Sequence, residues 1–138
     1  MMRFMMLMLP AGHCDAAPDA LPSADAVEKM MRFNKALQEA GVLLALDGLH
    51  PPSAGVRVSS VDGKVKVVDG PFSEAKEVVG GYWMIDVSSR EEAIAWASRC
   101  PLAVGDTIEI RQVFEMSDFP PETRKAAEGF DDPRHVAS

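Results

Sequence analysis

Apolar and polar positions change their period several times along this chain, and each change marks an element. From Arg3 to Leu9 almost every position is apolar, with Phe4, Met6 and Met8 on one side of an extended backbone and Met5, Leu7 and Leu9 on the other. A strand of this kind needs cover on both faces. Pro10 to Pro22 breaks the pattern with proline, glycine, alanine and aspartate, the composition of a loop. Ser23 or Asp25 then serves as the cap of a helix reaching to about Ala40, with Gly41 as its stop. On that helix Val27, Met30, Met31, Asn34, Leu37 and Gly41 share one face. An amide therefore stands in the middle of an apolar stripe.

Val42 to Leu46 reads as a short strand, followed by a loop through Asp47, Gly48, Leu49, His50, Pro51 and Pro52. Val56 to Val61 and Lys64 to Val68 alternate with period two around Asp62-Gly63, a strong hairpin signal. The turn Asp69-Gly70-Pro71 follows: aspartate bonds the backbone ahead of it, glycine is expected at positive φ, and proline fixes its own φ. A further strand runs from about Val79 to Val87, and Ser89 to Glu92 forms a capping box for a second helix. Ala93, Trp96, Ala97 and Cys100 make that helix's inner face before Pro101 ends it, and Thr107 to Phe114 is the last strand. From Glu115 onward the chain is an acidic tail, within which Pro121 to Glu128 reads as a short helix.

This order predicts an α+β fold: a ferredoxin-like split β-α-β with an inserted hairpin and an antiparallel sheet, built from residues 1–114. Two helices cover one sheet face only. The doubly apolar first strand then directs the second face onto a second subunit, giving a homodimer.

Composition narrows the class. A chain of 138 residues with 47% hydrophobic positions buries a core without disulfides or metal. Fourteen basic against 21 acidic residues give a net charge of -7, which repels phosphate backbones and anionic lipid and argues against nucleic acid or a membrane surface as partner. The N-terminus imitates a signal peptide, but its apolar run ends at Pro10, too early for a usual hydrophobic region; a strand and a cytoplasmic location are the expectation. Cys14 and Cys100 lie far apart and without metal or redox spacing, so two reduced thiols are expected.

The stretch Asp69-Gly70-Pro71-Phe72 also resembles the DGPF signature of the YCII-related family. Ala40-Gly41-Val42-Leu43-Leu44, Gly48-Leu49-His50-Pro51-Pro52, Ser89 to Trp96 and Ile108-Glu109-Ile110-Arg111 fall in that family's order and spacing, covering about residues 3 to 114. The resemblance implies a dimeric α/β barrel. It also implies, for some members, a histidine on the first helix paired with an aspartate as an acid/base dyad, and it allows a genomic link to extracytoplasmic-function sigma factors. This chain has no histidine between Ser23 and Ala40, and an amide moves no proton at neutral pH.

Six residues are candidates for chemistry. Asn34 is either a satisfied core amide or a ligand contact. Asp69 is either a turn cap or a general base, and His50, before two prolines, is either an ordinary loop histidine or an acid/base group. Lys76, in the charged connector next to Gly80-Gly81, is a candidate pocket-rim contact, since missing side chains there admit close approach. Glu109 and Arg111 share a strand face opposite Ile108 and Ile110, facing the dimer interior as an anion site or a brace. His13-Cys14-Asp15 matches no zinc spacing, and no cofactor motif is present, so neither metal nor cofactor is assigned. Two functions remain open: a small-molecule-binding dimer with cofactor-free elimination or isomerisation chemistry, and a non-catalytic binding or regulatory module.

Overall fold

The computed structural model describes residues 1–72, 75 and 77–130. The elements in chain order are β1 (Met2–Leu9), α1 (Ala24–Glu39), β2 (Leu43–Gly48), β3 (Val56–Val61), β4 (Lys64–Asp69), β5 (Gly81–Val87), α2 (Arg90–Ala97), β6 (Thr107–Gln112) and α3 (Pro121–Ala126). Short 3-10 turns lie at His13–Asp15, Pro52–Ala54 and Met116–Asp118. The class is α+β, with one antiparallel sheet in the order β2-β5-β1-β6 and a separate two-stranded sheet made of β3 and β4. Both sheets are open in the single chain.

β1 is central because its apolar run tolerates a neighbour on each side and cover above and below. It pairs with β5 from Met2↔Val87 to Met8↔Gly81, and with β6 from Phe4↔Gln112 to Leu9↔Thr107. The period-two alternation becomes two layers. Phe4, Met6, Met8, Trp83, Ile85 and Val87 are buried beneath the helices with Phe33, Leu37, Ala93, Ala97 and Cys100. Arg3, Met5, Leu7, Tyr82, Met84 and Asp86 point the other way and are only partly buried. Among the described residues no helix covers that second face. No helix among the described residues is long and apolar enough to cross a membrane.

Ser23 is the cap of α1, its Oγ accepting from the Ala26 N–H at 3.1 Å. At the other end Gly41, at φ +74, donates to Gln38 O at 3.0 Å while Val42 donates to Leu37 O at 3.2 Å, the paired bonds of a Schellman stop. The buried stripe is rotated from the expected one. Phe33, Asn34 and Leu37 are buried, whereas Val27 and Met31 are 38% and 55% exposed. The helix leans its Phe33 side toward Trp83, with ring centroids 5.5 Å apart and planes at 86°, and leaves Val27 and Met31 at the mouth of a cavity.

Ser89 caps α2 by accepting from the Glu92 N–H at 3.1 Å, but the return bond goes one residue further back than a capping box would send it. Glu92 Oε2 accepts from both the N–H and the hydroxyl of Ser88, at 2.7 and 2.6 Å. Two donors on one residue outcompete the single N–H of Ser89. They hold the Glu92 carboxyl below its ordinary value.

The hairpin turns through Asp62 at φ +51 and Gly63 at φ +76, as its Asp-Gly pair demands. Every residue of β3 and β4 is exposed. The register groups Val56, Val58, Val65 and Val67 on one side and Arg57, Lys64 and Lys66 on the other.

Gly70 corrects an expectation. It is not among the glycines at positive φ; glycine is required because a Cβ there would lie 1.8 Å from Pro52 O. Its N–H donates to Gly55 O at 2.9 Å, tying the root of the hairpin together. Strand ends also differ from expectation: β2 continues to Gly48 through an irregularity between Leu43 and Ala45, and β6 stops at Gln112.

Candidate functional site

Asn34 lies at the floor of a cavity of about 300 Å³ between α1 and the β2–β5 edge of the sheet. Its walls are apolar: Met8, Ala26, Val27, Met30, Met31, Leu46 and the Trp83 ring. The amide is anchored from one side, since Oδ1 accepts from the Trp83 indole N–H at 2.7 Å in a buried bond. That bond orients the NH2 group, which among the described residues reaches only Met31 Sδ at 3.7 Å. Sulfur is a weak acceptor, so two N–H vectors are held in position beside an apolar hollow with little to bond. The structural role and the ligand-contact role are thus both open to this one side chain.

The glycines at the cavity edge are dictated by close approach. A Cβ on Gly81 would lie 2.9 Å from Asp47 O, and one on Gly80 would lie 2.5 Å from Pro10 Cγ. Beside them Asp47 Oδ2 accepts from the Tyr82 hydroxyl at 2.8 Å. This bond, with the carboxylate's negative charge, raises the Tyr82 pKa above its ordinary value, and the phenol stays protonated.

His50 lines an adjoining cavity of about 450 Å³, together with His13, Leu21, Leu49 and Pro51. The two cavities share Pro22, Gly48 and Gly80 and form one trough. His13 was expected to matter only as part of a cluster without metal spacing; its Nε2 is buried without a hydrogen-bond partner among the described residues. Among the described residues no group of three or more His, Cys, Asp or Glu side chains could hold a metal ion.

The other candidates lie elsewhere. Asp69 is exposed at the end of β4, paired with Val56, and lines neither cavity of the trough. Arg111 and Glu109 are paired with Met5 and Leu7 across β1, which puts them on the sheet face away from the helices. Their own charges are 4.0 Å apart and both side chains are more than half exposed. Lys76 lies outside the described residues. Asn34, Asp69 and Arg111 therefore occupy three different regions.

Residues 2–117 match the YCII-related domain. The chain belongs to that family. An uncharacterised protein of Rhizobium meliloti (strain 1021) is 38% identical over 74 residues, covering 51% of this chain and 60% of that protein. The chain thus spans less than two thirds of the length of this curated relative. In this YCII-related domain the trough is bordered by the Gly48 to Pro51 segment and by the glycines that open β5.

The sequence reading did not single out Trp83 as a site residue and left His13 without a role. Trp83 was within reach: on a strand alternating Gly81, Trp83, Ile85 and Val87 toward the core, a buried indole N–H needs an acceptor, and Asn34 is the buried polar residue of the described chain. His13 carried no such signal, because its isolation from hydrogen-bond partners is a property of the packed chain.

Proposed function

We propose that this YCII-related protein is a homodimer that binds a small, largely apolar molecule carrying one hydrogen-bond acceptor. Its body would fill the hollow under α1, and its acceptor would take the NH2 of Asn34. The single observation that carries the reading is the Asn34 amide, fixed by the Trp83 indole at 2.7 Å with its donors turned to nothing stronger than a thioether. The strand order β2-β5-β1-β6 supports a ferredoxin-like split β-α-β over residues 1–114, two copies of which would complete a dimeric barrel, with 115–138 as an appended tail. Binding is favoured over acid/base chemistry. Asp69 lines neither cavity, His50 lines the adjoining part of the trough and not the Asn34 hollow, and Asp47 at the edge of that hollow is engaged by Tyr82.

Acetophenone, an apolar ring with one carbonyl, is a suitable probe, with ethylbenzene as the control that lacks the acceptor. Titration followed by 15N NMR should shift the Asn34 NH2 and Trp83 indole resonances with acetophenone, and with ethylbenzene much less. Ala26→Phe, which fills the hollow, should abolish the shifts. Shifts that persist in Ala26→Phe, or that appear only on other residues, would sink the proposal.

A further inference from the structure

The uncovered sheet face carries a buried carboxylate oxygen with no donor. Asp86 Oδ1 is shielded from solvent and has no hydrogen-bond partner among the described residues, although its cross-strand neighbour is Arg3. That arginine is committed elsewhere: Nε and Nη2 donate to the two oxygens of Glu115 at 2.6 and 2.9 Å. A carboxylate oxygen shielded from water and left without a donor is costly. Asp86 also lines a hollow of about 560 Å³ whose other walls are Arg3, Met5, Leu44, Ala45, Tyr82 and Met84, with Glu115, which holds Arg3, at its edge. With Arg3 turned to Glu115, the unpartnered Asp86 oxygen and the methionines suit a cation on a long aliphatic stem.

The same face supplies that group. Arg111 is aligned with Met5 across β1, its side chain is 72% exposed, and its nearest acid, Glu109, is 4.0 Å away. We propose that Arg111 of a second copy of this chain enters the hollow and donates to Asp86, so that a two-fold interface holds two such pairs around the apolar centre of Met5, Leu7 and Met84. The charge pattern is self-complementary, as an isologous contact requires. This rests on the homodimer reading above and adds to it the residues that fix the register of the two sheets.

Sedimentation velocity from nanomolar to micromolar concentration is the test. The parent should sediment at twice the 14.9 kDa chain mass. Arg111→Glu, which sets an acid against Asp86, should weaken association by about tenfold or more, and Arg111→Lys should restore part of it. Glu109→Gln, which leaves Asp86 its donor, should not weaken it. Asp86→Asn should remove most of the difference between Arg111 and Arg111→Glu. Circular dichroism on each variant separates lost association from lost folding, and if Asp86→Asn does not fold, Asp86→Ser takes its place in the comparison. A parent that stays monomeric refutes the homodimer itself. A dimer as tight in Arg111→Glu as in the parent, or weakened equally with and without Asp86, leaves the homodimer standing and overturns the pairing.

Discussion

The Asn34–Trp83 bond offers the most direct measurement of how the site is held. Asn34→Leu keeps the side-chain size and removes the acceptor, leaving the indole N–H buried without a partner. An orphaned buried donor costs about 1–3 kcal/mol. With an unfolding entropy of about 2.1 cal/mol/K per residue and 138 residues, that corresponds to a Tm lower by about 3–10 °C. Trp83→Phe removes the donor and part of the ring facing Phe33, so it loses packing as well. The double variant Asn34→Leu/Trp83→Phe no longer contains the orphan and should be more stable than the two single losses predict, by about 1–2 kcal/mol. Urea melts followed by far-UV circular dichroism, at one fixed protein concentration, measure all four corners of the cycle. Single losses that add to within about 0.5 kcal/mol, with Asn34→Leu as stable as the parent, would mean the indole finds another partner and Asn34 is not fixed by it.

Gly70→Ala should destabilise by about 1–3 kcal/mol or more, because its Cβ meets the Pro52 backbone at 1.8 Å, whereas Gly63→Ala, with open space around it and φ +76, should lose only about 1–2 kcal/mol to the left-handed backbone; urea melts that rank them the other way would show that the Pro52 contact relaxes freely. Burial pushes the Cys100 thiol up to about 11 from 9.0, with the Asp106 charge adding to it. Because the folded state keeps this proton longer than the unfolded chain, the contribution is complete below pH 9 and is lost as pH rises toward about 11. Melts across that range should therefore fall less steeply in Cys100→Ala than in the parent, and an identical slope in both would refute the assignment.

The element list was legible in the sequence wherever local chemistry decides. Asp62-Gly63 specified its turn, Gly41 its helix stop and Ser23 its cap, because each depends on φ or on a donor within a few residues. The doubly apolar run from Arg3 to Leu9 marked a strand whose two faces both avoid water, while its central place came from pairing with β5 and β6. Even Asn34 was visible as an anomaly on its helix.

What the tertiary structure decided were the relations between distant residues. The rotation of α1 that buries Phe33 and exposes Met31 follows from the edge contact with Trp83, which lies on β5 beneath the helix and fifty positions away in the chain. Gly70 looked like a residue chosen for positive φ and is instead one chosen for the nearness of Pro52, a contact that no local pattern encodes. The capping carboxylate of Glu92 took the residue offering two donors. Arg3 left Asp86 for Glu115, although strand pairing set it opposite Asp86, because a guanidinium takes both carboxylate oxygens when geometry allows. Local propensity states what each segment tends to form; only packing determines which polar atoms lose water and which of them find a partner.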